Sequence, residues 1–363
     1  MHALFDARLG RKPSGIGNYV MQLATRLPAL APDEVRILCR PRHRRQFSRA
    51  GGRAVMQLRG SRPPRRLASF DVFHGPNFHT PKLSRSIARV ATIHDLGYLL
   101  LPECHPPGMP ERLDALVRAS VDGTRMFVCD SHDTAQAFAE AYQVGSERIA
   151  VTPLAVDSQR FAPLTSETTI RRRLERTYGL NERYVLFVGA MVPRKDLRTL
   201  VQAWSLVAEQ QPDLDLVLAG NKTLRWASDW PHVEAWLQSH PTFAHRVKVL
   251  DYVPHGDLPA LYQGASVVML TSLLEGFGLT VLEGFAAGRP VVATRSGAIP
   301  EVGGDAAYYG EVRDPESFAT ALTAALAGEG FERRQALARE IVAKHTWDRT
   351  AALTLDAYRR ALD

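Results

Sequence analysis

Cysteine is scarce. Cys39, Cys104 and Cys129 are the only three in 363 residues, odd in number and without a C-x-x-C pair. This speaks against a disulfide framework or a thiolate metal cluster, so reduced thiols and no bound metal are expected. No apolar run reaches the 18 or so residues of a membrane-spanning helix, and Met1-His2-Ala3-Leu4-Phe5-Asp6 meets a charge too early for a signal peptide. The expected location is cytoplasmic. A dinucleotide fingerprint is also missing, because Gly15-x-Gly17 is followed by Val20 where a glycine or alanine is needed.

Acidic residues and lysine are absent from residues 35–70, which carry eleven of the chain's 45 basic residues, all arginine. The net charge is +7, so outside that stretch the acids outnumber the bases. The basicity is therefore local. Such a segment, Arg36 to Arg66, can dock on an anionic membrane leaflet or hold a phosphorylated substrate. Nucleic acid is not expected, since no nucleic-acid-binding module surrounds it.

What remains is ordinary globular composition, 45% hydrophobic and 23% charged, at a length that suggests two domains. The polar stretch from Ala162 to Asn181 is the natural divide, giving domains over 1–165 and 175–346. Short apolar runs alternate with helical patterns throughout, as in an α/β protein with parallel sheets. Leu4 to Leu9 reads as the first strand. Arg11 to Asn18 then reads as a glycine-bearing loop and Tyr19 to Leu27 as a helix ended by Pro28.

The most informative stretch is Thr271 to Pro300. The buried strand Val267 to Leu270 gives way to Glu275-Gly276-Phe277-Gly278, then to a helix over Leu279 to Ala287 and a second strand from Val291 to Thr294. Ligands of open parallel sheets bind at the carboxyl ends of the strands. Glu275 and Glu283 bracket the loop, too far apart for one atom to bridge, and carboxylates are acceptors suited to a diol. Between them the amides of Gly278, Leu279 and Thr280 open a helix, where phosphate is favoured. Diol, phosphate and diol together outline a nucleotide sugar.

Arg194 and Lys195 stand just before the helix from Leu197, at a helix end where cations are unfavourable without an anion. They suit a diphosphate leaving group. In Thr92-Ile93-His94-Asp95 an apolar run leads into His-Asp at a strand end, and Asp95 either orients His94 or caps the next segment. Pro76-Asn77-Phe78-His79-Thr80-Pro81 is a loop whose aromatic and polar residues either meet a sugar ring or pack. Asp213-Leu214-Asp215 leads into a strand and is not read as a metal site.

The stretch around Glu275 and Glu283 resembles the signature of the retaining glycosyltransferases of family four, and the likeness extends over nearly the whole chain. It implies the GT-B fold, two Rossmann-like domains facing a cleft, with the helix from Trp347 crossing back to the first domain so that 347–363 joins it. It implies transfer of a hexose from GDP-mannose or a UDP-hexose to a glycan, glycolipid or lipid-linked acceptor, with no metal or other cofactor. A small natural-product acceptor, or a nucleotide-sugar oxidoreductase using NAD, is the alternative. By motif, His94, Arg194, Lys195 and Glu275 are the catalytic candidates. Gly17, Asn18, Val253, Gly276, Phe277, Gly278, Leu279, Thr280 and Glu283 are the donor-binding ones. Two departures stand out: Ala155 replaces a usual glycine, and Ala190 stands where some members have an arginine.

Overall fold

The computed structural model describes residues 1–10, 14–40, 55–57, 69–84, 86–163, 166–222 and 229–363. They fall into two compact units. Unit 1 comprises Met1–Leu100, Gly108–Ala155 and His345–Asp363, and unit 2 comprises Leu101–Pro107 and Val156–Lys344. Most of the arginine-rich segment, including every arginine from position 42 to 66, lies outside the described residues, as do Arg11, Lys12, Pro13 and Trp226.

Unit 1 is built on β1 (Ala3–Asp6), β2 (Val35–Cys39), β3 (Val55–Gln57), β4 (Val72–Gly75), β5 (Ala88–Ile93), β6 (Met126–Cys129) and β7 (Ile149–Val151). They form one sheet in the order β3-β2-β1-β4-β5-β6-β7, with every pairing parallel. Strands such as Met126-Phe127-Val128-Cys129 are buried along their whole length because helices cover both faces. The first strand is shorter than Leu4 to Leu9, since a turn begins after Asp6.

Helix α1 (Gly15–Leu30) departs more from the expectation. It begins at Ser14, whose hydroxyl accepts from the Gly17 amide at 3.1 Å, so Gly17 and Asn18 lie in its first turn and not in a loop. It also runs through Pro28. In the last turn the proline removes a single backbone bond, and Leu27 and Pro28 are buried, which offsets that loss. α2 (Met109–Val121) and α3 (His132–Tyr142) follow, α3 capped by the Ser131 hydroxyl on the Thr134 amide at 3.0 Å.

Unit 2 holds β8 (Arg183–Val188), β9 (Leu214–Ala219), β10 (Val247–Leu250), β11 (Val267–Leu270), β12 (Val291–Thr294) and β13 (Tyr308–Gly310), in the order β10-β9-β8-β11-β12-β13, again all parallel. Its helices include α4 (Ser158–Phe161), α5 (Glu167–Tyr178), α6 (Leu197–Ala208), α7 (Leu258–Gly264), α8 (Leu279–Ala286), α9 (Pro315–Ala327) and α10 (Phe331–Lys344). Trp204 of α6, Phe187, Leu216 and Met269 of the sheet and Phe318 of α9 form its core.

The last helix, α11 (Trp347–Arg360), belongs to unit 1. The Tyr358 hydroxyl meets His74 Nδ1 at 2.7 Å, and Thr350 Oγ1 donates to the Pro153 carbonyl at 2.7 Å. Strand order reverses between β1 and β4 in unit 1 and between β8 and β11 in unit 2. Such reversals open a crevice at the carboxyl ends of the two strands.

Candidate functional site

In unit 2 the loops after β8 and β11 meet at the reversal. Pro193, Arg194 and Lys195 form a single 3₁₀ turn, and Asp196 ends it with φ at +47°. The Asp196 carboxylate then caps α6, accepting the Thr199 hydroxyl at 2.7 Å and its amide at 3.3 Å. The Thr271 hydroxyl donates to the Lys195 and Asp196 carbonyls, each at 3.0 Å, and the Leu273 amide to the Arg194 carbonyl at 2.8 Å. The two loops are thus stitched through the Thr271 hydroxyl and the Leu273 amide, and both cations face the second loop.

There they converge on Glu275. Arg194 Nη1 donates to Oε2 at 2.9 Å, while Lys195 Nζ and the Ser272 hydroxyl, the latter at 2.6 Å, donate to Oε1. Burial favours the neutral acid, but Lys195 and Arg194 outweigh it and bring the Glu275 pKa down to about 2. Glu275 is therefore ionised and supplies an anion for cations that the helix dipole opposes. The cluster holds two cations against the Glu275 carboxylate in a buried setting, with side-chain exposures of 19%, 13% and 12% for Arg194, Lys195 and Glu275. A phosphate there would gain more than at an exposed surface.

Glu275 is followed by Gly276, Phe277 and Gly278. Gly278 has φ of +112°, and a Cβ on it would sit 2.6 Å from Ile299 Cδ1. Only glycine turns the chain here into α8 without strain. Helix geometry leaves the amides of Leu279 and Thr280 without an intrahelical acceptor. One turn further on, Glu283 receives the Tyr262 hydroxyl at 2.6 Å. Burial pushes its pKa up to about 7, against the opposing pull of Tyr262 and then of Arg160. One carboxylate is locked in its charged form and the other is poised to titrate.

Val253 is buried, and the segment following it is tied down. Asp257 accepts the Tyr178 hydroxyl at 2.6 Å and an ion pair from Arg173, and the His255 carbonyl accepts from Arg160. Asp213 pairs with Arg183 at 2.7 Å and Asp215 accepts from Asn181 at 2.8 Å, both away from the reversal. No group of His, Cys, Asp and Glu among the described residues is placed to hold a metal ion.

In unit 1 the picture differs from the sequence expectation. The Gly17 amide goes to Ser14 Oγ and the Asn18 amide to the Ser14 carbonyl at 2.9 Å, so neither is presented to a phosphate. His94 is 8% exposed and uses both ring nitrogens, Nδ1 on Asp130 Oδ2 at 2.7 Å and Nε2 on the Pro76 carbonyl at 3.1 Å. A carbonyl only accepts, so Nε2 carries a proton. Burial lowers the His94 pKa, but the Asp130 charge and hydrogen bond reverse that and raise it. Asp130 orients His94; Asp95 caps the next turn, accepting from the Gly97 amide at 2.9 Å.

Sequence reasoning passed over Ser272, Tyr262, Asp130 and Arg160. Ser272 lies three residues before Glu275 and carried a faint signal. Tyr262 carried none, as one more buried residue of a short helix.

Two family models match the chain, "Glycosyltransferase Family 4" over residues 13–160 and "Glycosyl transferases group 1" over 182–328. Among curated proteins, an O-antigen chain mannosyltransferase B of Escherichia coli is 29% identical over 295 residues, 79% of this chain and 74% of that protein. A D-inositol 3-phosphate glycosyltransferase of Pseudarthrobacter chlorophenolicus is 28% identical over 291 residues, 76% of this chain but only 65% of that one. Among solved structures, sucrose-phosphate synthase of Thermosynechococcus elongatus superposes with a TM-score of 0.77 at 20% identity, covering 99% of this chain and 98% of the other. Anabaena HepE in complex with UDP gives 0.74 at 18%, covering 98% and 100%.

Proposed function

The chain belongs to the glycosyltransferases, with a family 4 module followed by a group 1 module, and from that premise we propose that it moves a hexose from a nucleoside diphosphate sugar to a glycan, glycolipid or lipid-linked acceptor, with retention at the anomeric carbon. The observation that carries the reading is the convergence of Arg194 and Lys195 on Glu275 at the β8/β11 reversal. On this reading the leaving diphosphate takes up both cations and the amides at the start of α8, so developing negative charge is met by fixed positive charge. Glu275 accepts from the hydroxyls of the sugar, Glu283 from the ribose diol, and the Val253 segment meets the base. The reaction then needs no cofactor. With both nitrogens engaged, His94 receives a positioning part.

Among donors we favour GDP-mannose over UDP sugars, in line with the mannosyltransferase relative. The arginine-rich residues 36–66 favour an anionic or lipid-linked acceptor. Failure to bind anionic liposomes in a salt-sensitive way would remove that part of the proposal. The donor reading is tested by thermal shift with UDP, GDP, NAD and their sugar conjugates on wild type and Glu283→Ala. A ligand at 100 times its Kd stabilises the fold by about 2.7 kcal/mol. A UDP or GDP shift that the variant loses supports it, and a shift from NAD alone ends it.

A further inference from the structure

Three arginines of unit 2 that the donor chemistry does not use, Arg295, Arg333 and Arg334, line one cavity of about 680 Å³. Such a volume suits a small organic molecule. Neither Arg194, Lys195, Glu275 nor Glu283 lines it. Its walls come from the residue after β12, the short helix Ile299–Gly303, the 3₁₀ turn Gly304–Ala306, the edge strand β13 and the start of α10. Arg295 lies over the Tyr309 ring at 4.5 Å and Arg334 over the Tyr308 ring at 4.2 Å, so stacking holds both guanidiniums in place before any ligand arrives. Arg334 Nη1 also donates to the Asp305 and Ala307 carbonyls, each at 2.6 Å, and its other N–H groups remain for further acceptors. Burial pushes the Tyr309 phenol up to about 12, against the pull of Arg295 and Arg334 and with the help of Asp305. These charges are therefore gathered around one ring.

Their present partners are weak. Arg295 meets Glu311 at 3.3 Å and Arg333 meets Asp305 at 3.8 Å, with all four side chains more than half exposed, where an ion pair contributes little and yields to a better anion. The lining offers these three cations together with two acids, Asp305 and Glu329. A phosphate answers guanidinium groups bidentately. The carboxylates only accept, so they want hydroxyls on the same molecule. A bare polyanion would meet those carboxylates, and a neutral sugar would leave the cations unanswered.

The cavity also shares a wall with the Glu275 loop. Arg295 and Pro300 flank Ser296, Gly297 and Ala298, and these three rest on that loop. The Ser296 hydroxyl donates to the Leu273 carbonyl at 2.8 Å and the Ala298 amide to the Glu275 carbonyl at 3.0 Å. Gly297, at φ of +57°, comes so close that a Cβ on it would lie 2.6 Å from the Glu275 carbonyl oxygen. A ligand that grips Arg295 therefore acts on the backbone carrying Glu275.

We propose that this cavity is a regulatory site for a phosphorylated polyol, its phosphate on Arg295, Arg333 and Arg334 and its hydroxyls on Asp305 and Glu329, and that occupancy steadies the Glu275 loop and tightens nucleotide binding. The coupling rests on the glycosyltransferase reading, whereas the site itself does not. The test is calorimetric titration of the full chain with glucose 6-phosphate, mannose 6-phosphate, mannose and inorganic phosphate, on wild type, Arg295→Gln and Arg333→Gln, followed by UDP and GDP titrations with and without the hexose phosphate. At least one hexose phosphate should bind the wild type about tenfold tighter than inorganic phosphate, and each variant should lose about tenfold. Both substitutions fall on exposed side chains, so melting temperature should hold and nucleotide affinity without hexose phosphate should stay within about twofold. Saturating hexose phosphate should raise the nucleotide affinity of the wild type about fivefold, and nucleotide should raise hexose phosphate affinity by the same factor. Binding of neither hexose phosphate, binding no tighter than that of mannose or inorganic phosphate, or binding undiminished in both variants overturns the site. Nucleotide affinity unmoved by bound hexose phosphate overturns the coupling. If a hexose phosphate binds as stated but neither UDP nor GDP does, the donor reading fails and the site stands.

Discussion

Tyr262 aims its hydroxyl at one oxygen of Glu283 from 2.6 Å, reaching from α7 to α8. That bond opposes the burial that lifts the Glu283 pKa to about 7. The ionised carboxylate is the stronger acceptor, with neither oxygen committed to a proton, so on the proposed ribose contact affinity for UDP or GDP should rise between pH 6 and 8. Tyr262→Phe removes the opposing pull, so the midpoint of that rise should move to higher pH and affinity at pH 7 should fall. Calorimetric titrations across this range check it, and an unmoved midpoint would show that the phenol does not bear on the carboxylate.

The same elevation has a signature in stability. A carboxyl whose pKa is higher folded than unfolded binds its proton more tightly in the fold, so stability is lost as pH rises from about 4.5 through about 7. Glu283→Gln should therefore stabilise the protein at pH 8 by up to about 3 kcal/mol and leave it little changed at pH 4. Urea unfolding at the two pH values decides the matter.

Glu275 has the opposite sign. Its pKa is lower folded than unfolded, so its contribution is complete above about 4.5 and is lost as pH falls toward about 2. Lys195→Ala removes one of the two cations on it, and the acid-unfolding midpoint should move up in pH. On the proposed function the same variant should lower kcat at least ~100-fold, because the leaving diphosphate would lose one of its two buried cations. Near-normal turnover would detach Lys195 from the chemistry.

Gly278→Ala forces a side chain into positive φ and toward Ile299, from which its Cβ would be 2.6 Å. The expected cost is about 1–3 kcal/mol for the backbone alone. Adding Ile299→Ala should relieve the clash but not the strain, so recovery in denaturant melts should be partial. Full recovery would mean that the backbone conformation costs nothing.

The parallel sheets, Arg194 and Lys195, and the two carboxylates could all be read from the sequence because each left a local mark. Apolar runs of four to six residues become strands buried on both faces. Two cations ahead of a helix demand an anion, although the sequence could not say that Glu275 would be that anion in the protein itself. Gly17 and Asn18 lie in α1 and not in the loop read from the sequence, because the Ser14 cap starts the helix ahead of Tyr19. Asp130 could not be linked to His94 from spacing, since 36 residues separate them and only the pairing of β5 with β6 brings them together. Asp95, adjacent in sequence, takes the second of the two roles open to it and caps the Gly97 turn.

The assignment of residues 101–107 to unit 2 and 345–363 to unit 1 means that the backbone changes unit four times. No single cut can separate the two folds. A gene split at Ala155 would yield a leading fragment without α11, stripping His74 of Tyr358 and Pro153 of Thr350. Trimming the protein back to Lys344 would leave unit 2 whole and unravel the half encoded first. Module exchange between relatives therefore has to carry the tail along with the opening strands.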